Sequence, residues 1–183
     1  FFPGTSREHK ALKNVNLSIQ EGDFITIVGG NGAGKSTFLN AIAGNFALDE
    51  GTISFGGHQI EHTADFERAA YISRVFQDPM QGTAPRMTVA ENLALANRRG
   101  QKRSLFKTSS KEELQQFEVL VAPLGLGLED RLHTEIGLLS GGQRQAISLL
   151  MATMNAPQLL LLDEHTAALD PKTQRKIMKK TQE

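Results

Sequence analysis

The chain has 183 residues, with 20 Lys plus Arg against 20 Asp plus Glu and no cysteine. That length supports one hydrophobic core and one domain, with room for an inserted lobe. Balanced charge argues against nucleic acid or an anionic membrane surface as partner, and the lack of thiols excludes disulfides and thiolate metal sites and fits a reducing compartment.

The longest unbroken leucine run, Leu159 to Leu162, is far below the ~20 residues of a membrane-spanning helix. The opening Phe1-Phe2-Pro3-Gly4 has no signal-peptide pattern and reads as the edge of a longer chain. The last residues, Lys179 to Glu183, stop inside a helical pattern.

In chain order, Val15, Leu17 and Ile19 alternate with polar residues, which predicts a half-buried strand over 13–20. The continuous run Phe24-Ile25-Thr26-Ile27-Val28 predicts a buried strand that empties into a glycine-rich loop. A helix comes next, with Phe38, Leu39 and Ile42 on its apolar side and Gly44 ending it. Thr52 to Phe55, Gly56-Gly57 and His58 to Ile60 predict a hairpin, and Tyr71 to Phe76 another strand. Thr88 to Glu91 and Ser110 to Glu113 have capping-box spacing and open two helices of an inserted lobe. Arg98, Arg99, Lys102 and Arg103 lie between those helices and read as a solvated basic loop, with a partner contact as the alternative. Leu159 to Leu162 predict a fully buried strand ending in Asp163-Glu164, and Asp170-Pro171 the start of a further helix.

Gly29-Gly30-Asn31-Gly32-Ala33-Gly34-Lys35-Ser36 fits the phosphate-binding loop G-x-x-x-x-G-K-[ST], between a predicted strand and a predicted helix. Glycines let backbone N–H groups turn inward around phosphate oxygens, and the helix N-terminus adds partial positive charge. Lys35 would reach the β- and γ-phosphates, Ser36 would bind Mg²⁺, and Thr37 would support the phosphates. Asp163 would hold the same metal through water, and Glu164 is placed to polarise the attacking water as general base. Together these motifs read as a P-loop NTPase. No Asn/Thr-Lys-x-Asp string for reading guanine occurs, which disfavours a GTPase.

Leu139-Ser140-Gly141-Gly142-Gln143, followed by Arg144-Gln145-Ala146, resembles the signature of the ABC ATPase family. Ser140 and its glycines would form a second anion cradle at a helix start. The resemblance implies an α/β fold: a RecA-like P-loop core (1–77 and 151–183), an antiparallel β-subdomain, and an α-helical subdomain over about 78–150. It further implies that two cassettes sandwich ATP head to tail, each signature closing on the other's γ-phosphate. By the same resemblance Gln77 is the Q-loop residue touching Mg²⁺ and the attacking water, Asp170 lies on the dimer seam, and Phe1 stacks on adenine. The family's switch histidine would come after one more helix and strand. His165 stands where proline is frequent, and Gly30 where proline or serine is usual.

The resulting expectation is an ATP-hydrolysing subunit on the cytoplasmic face of the membrane. It would be paired with a second copy and power uptake of an amino-acid-like solute through a separate permease, with a solute-binding protein and no nucleic acid as partners. The alternatives are a non-transport ABC ATPase of repair or translation type, which would carry coiled coils or tandem cassettes not visible here, and a nucleotide-binding piece without turnover.

Overall fold

A two-residue turn at Gly56-Gly57, with φ +56° and +82°, joins β1 (Ser54–Phe55) to β2 (His58–Gln59) in an antiparallel hairpin. Positive φ at both central residues is the turn whose twist matches paired strands, and glycine adopts it without steric cost. The computed structural model describes residues 11–101 and 110–163, divided into two units at Thr63/Ala64. Phe1, Lys102, Arg103, Glu164, His165, Asp170 and the helix expected from Asp170 lie outside the described residues.

In the first unit, α1 (Lys35–Ala43) comes directly after the glycine loop and stops at Gly44, which takes φ +85° and donates back to Ala41 and Asn40 carbonyls, as its sequence predicts. Leu39 and Ala41 are the buried positions, with Phe38 and Ile42 half-buried. The two strands expected ahead of the loop are not formed: among the described residues no ladder engages 11–31. Phe24 is 74% and Val28 89% exposed. An apolar β-rich run specifies a strand only when a neighbour takes its N–H and C=O groups, and among the described residues none does.

In the second unit, the short α2 (Asp65–Arg68) leads into β3 (Ile72–Val75), which pairs in parallel with β4 (Leu159–Leu162), Arg74 aligning with Leu161. Between these strands in sequence come α3 (Val89–Asn97), α4 (Lys111–Val121) and α5 (Gly141–Thr153). Their buried faces, among them Leu93, Phe117 and Ile147, meet Leu128 and Ile136 in one core. Val75 belongs to that core, and Leu160 and Leu162 pack against it, so this face of the parallel pair carries the helices. β4 is less buried than its leucines predict: Leu161 is buried and the other three are half-buried.

Both expected helix starts occur, with one difference. Thr88 caps α3 reciprocally: its hydroxyl accepts from Glu91 N–H at 3.2 Å, and the Glu91 carboxylate accepts from Thr88 N–H at 2.7 Å. The Thr88 N–H foremost, and the Thr88 hydroxyl donating to the same carboxylate at 2.9 Å, hold the Glu91 carboxyl below its ordinary range. Ser110 caps α4 by accepting from Glu113 N–H, but Glu113 turns its carboxylate to Arg98 at 3.0 Å. The basic loop is therefore not all solvated: Arg98 pairs with Glu113, and half-buried Arg99 donates to Ser73 Oγ at 2.9 Å.

Asn92, 1% exposed, donates to the carbonyls of Ala84, Met87 and Thr88 and accepts from Ala84 N–H. The segment it holds is also bonded to the stretch before α5, through Ile136 N–H to Met87 O and Gly137 N–H to Pro85 O. Asn92→Ala leaves Ala84 N–H without its acceptor, takes the second donor from the Ala84, Met87 and Thr88 carbonyls, and empties a buried side-chain site. It is expected to cost ~2 kcal/mol or more, seen as a lower urea midpoint at unchanged slope.

Candidate phosphate-binding site

The loop expected to cradle phosphate is built by short-range geometry. Ala33 N–H donates to Gly30 O, closing a turn. Gly32 and Gly34 take φ +79° and +87°, in the region L side chains avoid. A Cβ on Gly34 would also stand 2.8 Å from the Ala11 carbonyl oxygen. Gly34 is the N-cap of α1, and the first intrahelical bond is Phe38 N–H to Gly34 O at 2.8 Å. Lys35, Ser36 and Thr37 thus form the first turn, where amides lack intrahelical acceptors and the helix dipole favours an anion.

Lys35 Nζ donates to Gly29 O at 2.7 Å and Gly30 O at 3.1 Å. Its ammonium is parked on the carbonyls of the loop whose amides would face phosphate. Asn31 and Ser36 are exposed. Gly30 has no positive φ and nothing within 4 Å of a built Cβ, so a small side chain would fit there.

In the second unit β4 delivers Asp163, whose N–H extends the ladder to Val75 O at 3.1 Å. Asp163 is buried and its Oδ2 accepts from Arg74 Nη2 at 3.1 Å. Gln77, exposed, lies just past the end of β3 after Phe76. Ser140 caps α5: its hydroxyl accepts from Gln143 N–H at 3.2 Å, while Gln143 Oε1 accepts from Ser140 N–H at 3.1 Å. Gln143 Nε2 also donates to Leu126 O at 3.0 Å. The Gln143 side chain is thus engaged within the chain, and what α5 offers outward is the Ser140 hydroxyl with exposed Gly141, whose built Cβ meets nothing within 4 Å. Arg144 fixes the same helix end through Leu139 O at 2.8 Å and reaches Met80 Sδ at 2.9 Å, tying the segment after Gln77 to the signature.

Sequence reasoning missed two residues that shape these elements, Arg74 and Asn92, and read Arg144 as part of the signature without the contacts it makes. Arg74 had a visible signal, as the one charged residue in Ile72-Ser73-Arg74-Val75. Asn92 had none, because its four bonds depend on how the loop before α3 closes.

A glycine loop running into a helix that opens Lys-Ser, and an aspartate at the end of a strand, define a P-loop nucleotide-binding protein. The family model described as "ABC transporter" matches residues 12–167, and the chain belongs to that family of ATP-binding cassettes. It is 42% identical to the tyrosine transport ATP-binding protein of Clostridioides difficile (strain R20291) over 98% of this chain and 72% of that protein. It is 38% identical to a phosphonates import ATP-binding protein of Alcaligenes faecalis, over 93% of this chain and 62% of that one. A spermidine/putrescine import ATP-binding protein of Pasteurella multocida (strain Pm70) is 36% identical, with 91% and 42% covered. Among solved structures, a dimeric post-hydrolysis ATP-binding cassette bound to ADP and Pi matches with TM-score 0.77 and 33% identity, over 93% of this chain and 72% of that one. These matches carry the expected RecA-like P-loop fold. Among the described residues, no helix is long and apolar enough to cross a membrane.

Proposed function

We propose that the chain is the ATP-hydrolysing subunit of an importer, working in pairs and driving a separate membrane permease from its cytoplasmic face. The carrying observation is that one chain presents two glycine-flanked helix starts, the loop around Lys35 and the exposed Ser140 and Gly141, each of which would serve as a phosphate cradle. Two copies placed head to tail would give each ATP one cradle from either side. The dimeric, ADP- and Pi-bound cassette that the chain resembles supports this reading.

In the reaction, Lys35 would leave its loop carbonyls for the terminal phosphates, since a polyphosphate is the stronger acceptor. Glu164 would take the proton of the attacking water. The helix ends of α1 and of the partner's α5 would stabilise charge on the transferred group. The donors assigned to metal, the Ser36 hydroxyl, the Asp163 carboxylate and the Gln77 amide oxygen, are hard oxygens, and no group of three or more His, Cys, Asp or Glu forms a metal cage among the described residues. That set fits Mg²⁺, which keeps waters and takes phosphate oxygens; when bound it would neutralise charge on the phosphates. Helical residues from about 78 to 150, inserted between core segments 1–77 and 151–183, would carry Ser140 to Gln143 to the partner. Phe1 and Asp170 keep the roles the family resemblance suggests, adenine stacking and the dimer seam.

For the solute, the tyrosine transport relative favours an amino-acid-like molecule over the phosphonates and polyamines of the other two, with a solute-binding protein delivering it. Cells deleted for this chain are expected to lose uptake of labelled tyrosine and regain it with the wild-type chain. Normal tyrosine uptake with loss of phosphonate or spermidine uptake would redirect the assignment.

A further inference from the structure

Arg74 stands on the same face of the parallel pair as Asp163. The register sets Arg74 beside Leu161, and side chains two apart on a strand share a face, so the arginine reaches diagonally to the acid. Its Nη2 lies 3.1 Å from Asp163 Oδ2, and both side chains are largely buried. The guanidinium carbon also sits 4.6 Å from the centroid of the Phe76 ring, which attracts a cation on its face.

A carboxylate enclosed in this way needs a positive charge beside it, because desolvation penalises a bare anion. Asp163 is the acid assigned to the divalent metal under the proposed function, and the inference rests on that assignment. A guanidinium on Oδ2 and a hydrated divalent cation on the same carboxylate repel each other and compete for its oxygens. We propose that Arg74 is a positioning residue that serves as the resident cation of Asp163 while no metal is bound and yields the carboxylate when the metal arrives. Phe76 already engages the guanidinium and would retain it when the carboxylate is released. The ion pair keeps the Asp163 carboxylate aimed between turnovers, and it sets how much metal is needed to load the site.

The test is Mn²⁺ binding in the presence of a non-hydrolysable ATP analogue, monitored by the EPR signal of the free ion. Arg74→Met removes the competitor and keeps an unbranched apolar stem. It is expected to tighten Mn²⁺ binding about tenfold, the low end of what a hydrogen bond between charged groups contributes, while Asp163→Asn weakens it. Unchanged or weaker Mn²⁺ binding by Arg74→Met, with Asp163→Asn still weakening it, overturns the role of Arg74 alone. An affinity unmoved by Asp163→Asn overturns the assignment of the acid and the proposal with it. A readout on the wild-type protein guards against a misfolded variant: side-chain N–H protons of Arg74, assigned with Arg74→Lys, are expected to exchange slowly without metal and quickly with Mg²⁺ and the analogue. Slow exchange in both states overturns the proposal.

Discussion

Glu164→Gln is expected to lower ATP turnover by about 10²–10⁴-fold, the usual contribution of a general base, while ATP binding persists. Glutamine keeps the shape of the side chain and loses the group that accepts a proton from water. The preceding residue is well anchored: β4 pairs along its whole length with β3, and Asp163 continues the ladder through Val75 O. A general base has to stay within reach of one water, and the residue before this one in sequence is held by the sheet. Since hydrolysis would reopen the pair of cassettes, blocking it should leave an ATP-bound dimer. Phosphate release measures the first effect, and size-exclusion with light scattering under saturating ATP and Mg²⁺ the second. Near-normal phosphate release would remove Glu164 from the role, and monomers under those conditions would count against the head-to-tail pair.

The elements legible in the sequence are those whose causes lie within a few residues. Thr88 and Ser110 accept from their N3 amides, Gly44 ends α1, and Gly56-Gly57 turns the hairpin, because each needs only its own neighbours. The phosphate loop belongs to the same class, since its glycines encode backbone angles directly. What could not be read was set by distant partners. Nothing local says that Ile72 to Val75 pairs with Leu159 to Leu162, or that Arg74 meets Asp163 across that ladder. The converse error is Phe24 to Val28: its composition announces a buried strand, yet the residues are exposed, because a strand borrows half its hydrogen bonds from a neighbour. Glu113 shows the same rule on a smaller scale, leaving the cap that its spacing predicts for the stronger field of Arg98.

Gly34→Ala is expected to disable nucleotide binding through the backbone alone. The residue holds φ +87°, where a Cβ costs roughly 1–2 kcal/mol, and that Cβ would lie 2.8 Å from the Ala11 carbonyl oxygen. A backbone oxygen cannot swing aside like the end of a flexible side chain, so either the loop or the chain at Ala11 has to shift. Gly34 is also the acceptor of the first α1 hydrogen bond, and any shift there re-aims the amides of Lys35, Ser36 and Thr37 together. The expected loss of ATP affinity is tenfold or more, since ~1.4 kcal/mol corresponds to a factor of ten. Equilibrium binding of a fluorescent ATP analogue would measure it. Gly30→Ala separates geometry from a general intolerance of the loop. Position 30 has no positive φ and open space around a Cβ, so alanine there should keep affinity and add roughly 0.4–1 kcal/mol of stability by restricting the unfolded chain. Equal damage from both substitutions would mean that the loop needs flexibility as such, and the account based on the left-handed Gly34 would be wrong.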